Sequence, residues 1–145
     1  MSFFRENRVG KDRRKKIKGI KVEDLLHGKS DQITTVSIGA SIVSAAQVMA
    51  DMKIGILVVM DDKQNFAGMV AEREIVGALG HHGAKAAEMT VDDVLIRDIT
   101  ACTPETEMSV VLDTMKEKYM RHVPVIVNGK VRGLISMSDI LRFLL

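Results

Sequence analysis

The stretch Gly133-Leu-Ile-Ser-Met-Ser-Asp-Ile-Leu141 decides how the rest of the chain is interpreted. Leu134 and Ile135 predict the end of a strand, and the apolar run after Asp139 predicts a helix. Ser136 and Asp139 have the Ser-x-x-Asp spacing of a capping box at the start of that helix. Free N–H groups at a helix start, beside hydroxyls and a carboxylate, also suit a sugar and a phosphate. A helix cap and a ligand site are therefore both consistent with this stretch.

An altered copy of the stretch lies earlier in the chain, at Gly68-Met-Val-Ala-Glu-Arg-Glu-Ile-Val76. The segments ahead of the two copies also repeat, and at a shift of 66 residues Met49 aligns with Met115. Each repeat predicts a helical turn (22–26; 91–95), a short strand (33–36; 99–102) and an amphipathic helix (41–53; 107–119). Two strands (54–60 and 66–71; 123–127 and 131–136) and a last helix (72–79; 138–145) follow, and residues 80–83 link the halves.

Two copies of a β-α-β-β-α unit, about 60 residues each, therefore organise the chain. Neither copy alone would bury a large core, so we expect an α/β (α+β) protein whose pseudo-symmetric repeats pack through their sheets. The predicted boundaries are a basic N-terminal arm at 1–19, a first repeat at 20–83 and a second repeat at 84–145.

The composition narrows the classes of function. Aromatic residues make up only 3% of the chain and Trp is absent, which argues against stacking platforms for single-stranded nucleic acid. The single cysteine, Cys102, cannot form an internal disulfide, and its neighbours predict a packed, unreactive thiol in a strand. With no apolar run near the roughly 18 residues of a membrane span, and no signal-peptide h-region, we expect a cytoplasmic protein.

Charge is unevenly distributed along the chain. Residues 1–21 carry a net charge of +7, while the remaining residues carry −5. Such an arm, concentrated in residues 5–18, suits nucleic acid or an anionic surface, because basic groups near phosphates release counterions. It is more often a solvated leader that aids solubility or folds against a dimer partner.

No catalytic constellation is found. The chain has no Ser-His-Asp arrangement and no Walker or Rossmann glycine loop, and its acidic residues form no convincing acid/base pair. His81 and His82 are adjacent, so their side chains point in different directions, and no Cys or Glu completes a metal site. We predict a protein that is not an enzyme, holds no metal and requires no cofactor.

At this point the pattern resembles a tandem pair of CBS domains, the Bateman module, over residues 20–145. The resemblance is carried by the doubled element order, by the two glycine-led stretches quoted above, and by two strand segments. These segments are Lys53-Ile-Gly-Ile-Leu-Val-Val59 and Arg121-His-Val-Pro-Val125. The resemblance implies a regulatory module that binds an adenosine-containing ligand (AMP, ADP, ATP, NAD or S-adenosylmethionine) in a cleft between the repeats. It also implies a homodimer formed through small-residue helices, and a separate effector protein.

The family motif, Gly-h-h-Ser/Thr-x-x-Asp, implies which residues bind the ligand. Carried onto the second repeat, it assigns the ribose hydroxyls to Asp139 and the phosphate to Ser136 and Ser138. The adenine would rest against aliphatic and backbone groups, which the resemblance places at Val22 and at Ile54, Gly55 and Ile56.

The first repeat departs from this motif. Ala71 replaces the Ser/Thr, and Glu74 replaces the Asp, so this second cleft is expected to be empty or to bind something else. Against that, the resemblance places phosphate-binding basic residues of this weaker cleft at Arg121 and His122, to which Arg73 could add. Pro124 belongs to the same cleft. Arg121 and His122 are equally well explained as strand-start residues with solvated side-chain ends.

Three functions remain open from the sequence. The first is a non-catalytic regulatory module that binds an adenine nucleotide, mainly through Asp139, and passes a change in dimer shape to a partner. The second is a nucleic-acid or anionic-surface binder that uses the basic arm, with the CBS pair as dimerisation module. The third is a structural dimerisation module with both clefts vacant.

Overall fold

The computed structural model describes residues 16–27 and 33–145, which fall into two compact units. The central unit comprises the described residues 33–99, and the terminal unit joins residues 16–27 to residues 100–145. Most of the predicted basic arm lies outside the described residues. The repeat boundaries at 19/20 and 83/84 stay a prediction, because sequence repetition and compactness divide the chain at different places.

The central unit contains a three-stranded sheet with helices. Its elements are β1 (Thr35–Ser37), α2 (Ile42–Met52), β2 (Ile56–Met60), β3 (Phe66–Ala71), α3 (Glu72–His82), a 3-10 helix (Gly83–Glu88) and α4 (Val91–Val94). β1 pairs parallel with β2, and β2 pairs antiparallel with β3. The core is aliphatic, as predicted, with Leu57, Val59 and Val70 fully buried in it.

The terminal unit contains a β-hairpin with helices. Its elements are α1 (Val22–Leu26), α5 (Met108–Lys118), β4 (His122–Val127), β5 (Lys130–Ser136) and α6 (Met137–Leu144). The predicted strand at 99–102 is reduced to a single parallel bridge between Cys102 and Val125. Cys102 donates its N–H to the carbonyl of Pro124 at 2.9 Å and accepts the N–H of Ile126, also at 2.9 Å.

Backbone hydrogen bonds attach the short helices α1 and α4 to equivalent places in the two units. In the terminal unit the N–H of Val22 donates to Thr106 at 2.9 Å, and the N–H of Met108 donates to Ile20 at 2.8 Å. In the central unit the N–H of Val91 donates to Ala40 at 2.8 Å, and the N–H of Ile42 donates to Met89 at 3.0 Å. These bonds satisfy N–H groups that have no partner inside their own helix.

The last helix of the first repeat was predicted to end at residue 79, and this end is wrong, because the helix continues into the predicted linker at 80–83. Helix α3 continues to His82, and the 3-10 helix begins at Gly83, whose φ is +58°. The N–H of Gly83 donates to the carbonyl of Leu79, so the helix ends with an ordered C-cap. In the described part of the chain, no helix is both long enough and apolar enough to cross a membrane.

Two equivalent glycines lie in β3 and β5: Gly68 faces the segment that follows α4, and Gly133 faces the last residue of α1. A Cβ atom at Gly68 would lie 2.3 Å from the backbone oxygen of Ile96, which bonds to the next residue of β3. A Cβ atom at Gly133 would lie 3.0 Å from Cδ2 of Leu26, the end of a flexible side chain. The same mutation therefore meets backbone in one unit and a movable methyl group in the other.

We predict that Gly68→Ala lowers the free energy of unfolding by about 2–3 kcal/mol, since the neighbouring backbone must shift. Gly133→Ala is the matched control, with an expected loss of about 1 kcal/mol, because Leu26 can rotate. Urea unfolding of both variants measures the difference. A larger loss in Gly133→Ala than in Gly68→Ala would contradict this account.

Candidate functional site

The start of α6 contains a complete capping box. Oγ of Ser136 accepts the N–H of Asp139 at 3.0 Å, and Oδ2 of Asp139 accepts the N–H of Ser136 at 2.8 Å. Ser136 is the N-cap residue of α6 and has extended backbone. The first N–H groups of a helix have no partner inside it, and the two side chains provide acceptors for such groups. The cap predicted from the Ser-x-x-Asp spacing is confirmed.

The carboxylate of Asp139 lies at the surface of the unit but is mostly buried. Its side chain is 10% exposed, and its Oδ1 lies 3.3 Å from Nη2 of Arg142, whose own side chain is 77% exposed. Ser138, in the first turn of α6, is exposed. A hydroxyl, a carboxylate and a guanidinium thus stand together at one helix start. Arg142 was not among the residues predicted for the site, although a spacing of three residues on a helix predicts contact with Asp139.

The hairpin brings further predicted residues to the same helix start. His122 is the cross-strand partner of Ser136, and the carbonyl of Arg121 accepts the N–H of Met137 at 2.8 Å. Arg121 is exposed, and His122 is half-buried. Pro124 is buried inside β4. These residues, predicted for the second cleft, belong to the same compact unit as Asp139; their binding roles stay predictions.

Val22 belongs to the terminal unit as well. Its side chain is fully buried in the aliphatic core, together with Ile135 and Ile140. The structure therefore gives Val22 a packing role beneath the strand and helix that carry the motif. Its predicted contact with a base is untested.

The corresponding helix start in the central unit lacks the cap. Ala71 is the N-cap residue of α3 and forms no side-chain hydrogen bond. Oε2 of Glu74 is buried and has no hydrogen-bond partner in the described part of the chain. A buried oxygen without a partner costs roughly 1–3 kcal/mol, so a donor from a ligand or water would stabilise it. Arg73, next to it in sequence, is exposed.

The segment before β2 lies beside the same helix start. The carbonyl of Gly55 accepts the N–H of Glu72 at 2.9 Å, and a Cβ atom at Gly55 would lie 3.1 Å from Oε1 of Glu72. Ile54 and Ile56 are half-buried on either side. A Cβ atom at position 55 would meet only the end of the exposed Glu72 side chain, which can move away. The predicted role of these three residues as a wall for adenine is untested.

Cys102 is a buried thiol in the core of the terminal unit. It is 7% exposed, and burial raises the pKa of the thiol from 9.0 to about 11, partly offset by a backbone hydrogen bond. The thiolate is the reactive form, so this environment makes Cys102 inert near neutral pH. The predicted packing of this thiol is confirmed.

The raised pKa of Cys102 predicts a loss of stability in alkali. Above pH 9 the unfolded thiol loses its proton while the folded thiol keeps it, so the free energy of unfolding falls as pH rises towards 11. The loss is at most about 2–3 kcal/mol. Urea unfolding at pH 8 and pH 10.5 should show a steeper decline for the natural protein than for Cys102→Val. Parallel declines of the two proteins would contradict the prediction.

Among the described residues, no group of three or more His, Cys, Asp or Glu side chains is placed to hold a metal ion. His81 and His82 lie in the last turn of α3 and are exposed.

Residues 22–81 and 91–145 each match the CBS domain. The chain is 31% identical over 117 residues to Hypoxic response protein 1 of Mycobacterium tuberculosis, covering 77% of this chain and 78% of that protein. A crystal structure of a CBS-domain containing protein from Agrobacterium tumefaciens is similar with a TM-score of 0.80 and 31% identity. The match covers 84% of this chain and 91% of that one.

A crystal structure of Hypoxic Response Protein I with two coordinated zinc ions is also similar. Its TM-score is 0.71 at 25% identity, covering 84% of this chain and 97% of that one. The predicted tandem pair of CBS domains in an α+β fold is confirmed. Proteins with such pairs are typically regulatory, and they commonly bind adenosine ligands and often form oligomers.

Proposed function

Because the chain belongs to the CBS-domain family, we propose that it is a non-catalytic regulatory module that binds an adenine nucleotide through the start of α6. The observation that supports this proposal is the arrangement of Ser136 and Asp139. A hydroxyl and a mostly buried carboxylate are fixed at a helix N-terminus in one repeat, and the equivalent hydroxyl is missing from the other.

The proposed contacts follow from the chemistry of the two side chains. Asp139 accepts hydrogen bonds from the two ribose hydroxyls, and each charge-assisted bond contributes about 1.5–3 kcal/mol. The phosphate binds at the hydroxyls of Ser136 and Ser138, away from the Asp139 carboxylate, because like charges repel. Adenine contacts aliphatic groups, for which we keep Val22 and the segment 54–56 as candidates.

The start of α3 is proposed as a weaker site. Without a hydroxyl at Ala71 it has one donor fewer for a phosphate. The unpaired oxygen of Glu74 favours a ligand that donates a hydrogen bond there. Arg73, Arg121 and His122 stay candidates for phosphate contacts, with Pro124 as part of the wall.

A regulatory function requires a second conformation of the dimer and a partner protein that responds to it. We propose a homodimer in the cytoplasm, where a lone cysteine stays reduced, that acts on a separate effector protein. A ligand can shift an equilibrium between two dimer shapes only by its differential affinity for them. The basic arm, most of which lies outside the described residues, carries no part of this proposal.

Asp139→Asn is expected to weaken AMP affinity about tenfold to a hundredfold, because two charge-assisted hydrogen bonds to the ribose become neutral ones. Isothermal titration calorimetry with AMP and ATP measures the change. Glu74→Gln is the matched control in the weaker repeat and should alter affinity much less. Asp139→Ala, which also removes the acceptor of the Ser136 N–H from the capping box, should lose at least as much affinity as Asp139→Asn.

Circular dichroism establishes that the Asp139 variants remain folded. Unchanged affinity for AMP and ATP in folded Asp139→Asn and Asp139→Ala would show that the site is assigned wrongly. A stronger effect of Glu74→Gln would instead place the main site on α3.

Native mass spectrometry of the purified protein tests occupancy and assembly together. We expect a dimer mass with an additional mass that matches an adenine nucleotide, released on denaturation. A monomer mass would contradict the homodimer. If the protein neither retains a nucleotide nor binds added AMP, ATP, NAD or S-adenosylmethionine, it is a structural module with vacant sites.

A further inference from the structure

We propose that Arg142 makes the Asp139 site prefer a phosphorylated nucleoside over the same nucleoside without phosphate, an inference that rests on the proposed function. Nη2 of Arg142 lies 3.3 Å from Oδ1 of Asp139, about one helical turn further along α6. The only cation in α6 is therefore held beside the carboxylate that is proposed to bind the ribose.

The contacts that Ser136 and Arg142 make with the Asp139 carboxylate have different consequences. Oδ2 accepts the N–H of Ser136 at 2.8 Å, and this bond belongs to the cap of α6. The contact at Oδ1 comes from a side chain that is 77% exposed. Because the Arg142 side chain is mostly exposed, its guanidinium can turn towards a bound anion while the bond between Oδ2 and Ser136 stays in place.

A phosphate at the hydroxyls of Ser136 and Ser138 shares its helix start with the Asp139 carboxylate, so a compensating positive charge favours its binding. A phosphate monoester carries a charge of about −1.5 to −2 at pH 7, and Asp139 adds a further negative charge to the same helix start. Arg142 offsets the carboxylate, and its planar guanidinium can donate two parallel hydrogen bonds to phosphate oxygens. An unphosphorylated nucleoside gains neither effect, since it offers only its hydroxyls and base.

The first repeat lacks this arrangement. Gly77 stands three residues after the motif carboxylate Glu74, where α6 has Arg142. The first turn of α3 contains Glu72 and Glu74 with Arg73 between them, so its charge is negative, whereas Asp139 and Arg142 balance each other. The neutral balance is therefore particular to the repeat whose Ser-x-x-Asp motif is intact.

The test compares the affinities for adenosine and AMP by isothermal titration calorimetry on the whole chain. The natural protein should bind AMP more tightly than adenosine. Arg142→Gln should lose about tenfold in AMP affinity, with a change of less than about twofold for adenosine. Arg142→Lys keeps the positive charge but lacks the planar guanidinium, so its AMP affinity should lie between those of the natural protein and Arg142→Gln. Arg132→Gln is the control, because it removes an exposed charge from β5 of the same unit.

Three results would overturn the role of Arg142 while the proposed site stands. In the first, the natural protein binds adenosine and AMP with equal affinity. In the second, Arg142→Gln lowers the affinities for both ligands equally, or lowers neither. In the third, Arg132→Gln changes the ratio of AMP affinity to adenosine affinity as much as Arg142→Gln does. If the natural protein binds neither ligand, the proposed function itself fails, and the inference about Arg142 fails with it.

Discussion

One backbone hydrogen bond in each repeat fixes the position of the motif helix. The N–H of Met137 donates to the carbonyl of Arg121 at 2.8 Å, and the N–H of Glu72 donates to the carbonyl of Gly55 at 2.9 Å. Each bond joins the first residue of a helix to the residue before the first strand of its hairpin. That N–H has no partner inside the helix, so the hairpin satisfies it and determines where the helix begins. The bond therefore also positions the motif carboxylate, Asp139 or Glu74, which lies two residues further along the helix.

The strands and long helices could be predicted from the sequence because a local pattern produces them. β3 has its predicted bounds, Phe66–Ala71, and the ends of α2 and α5 lie within one residue of the predicted ones. The segment 80–83 could not be predicted, since its glycines and histidines indicate a loop while α3 extends through most of it. The places where α1 and α4 attach could not be predicted either, because they depend on backbone bonds between residues far apart in sequence.

In the candidate site, too, the features that follow from local sequence could be predicted, and those that depend on packing could not. The Ser-x-x-Asp spacing predicts the hydrogen bonds between Ser136 and Asp139, because a capping box follows from three-residue geometry. The missing hydroxyl at Ala71 is visible in the sequence as well. The buried Oε2 of Glu74, which has no hydrogen-bond partner among the described residues, is not visible there, since its surroundings depend on how neighbouring side chains pack. The repeat that departs from the motif therefore differs in hydrogen bonding as well as in residue identity.

The helix cap and the proposed ligand site do not compete as explanations of Ser136 and Asp139. The cap holds the Asp139 carboxylate in one orientation through a 2.8 Å bond before any ligand arrives. A side chain already ordered in this way loses less conformational entropy on binding, which favours affinity. In the other repeat no such bond to the N-cap residue orders Glu74, whose longer side chain also has more rotamers to lose. The cap is thus a physical reason why the intact motif should bind a nucleotide more tightly than its altered copy.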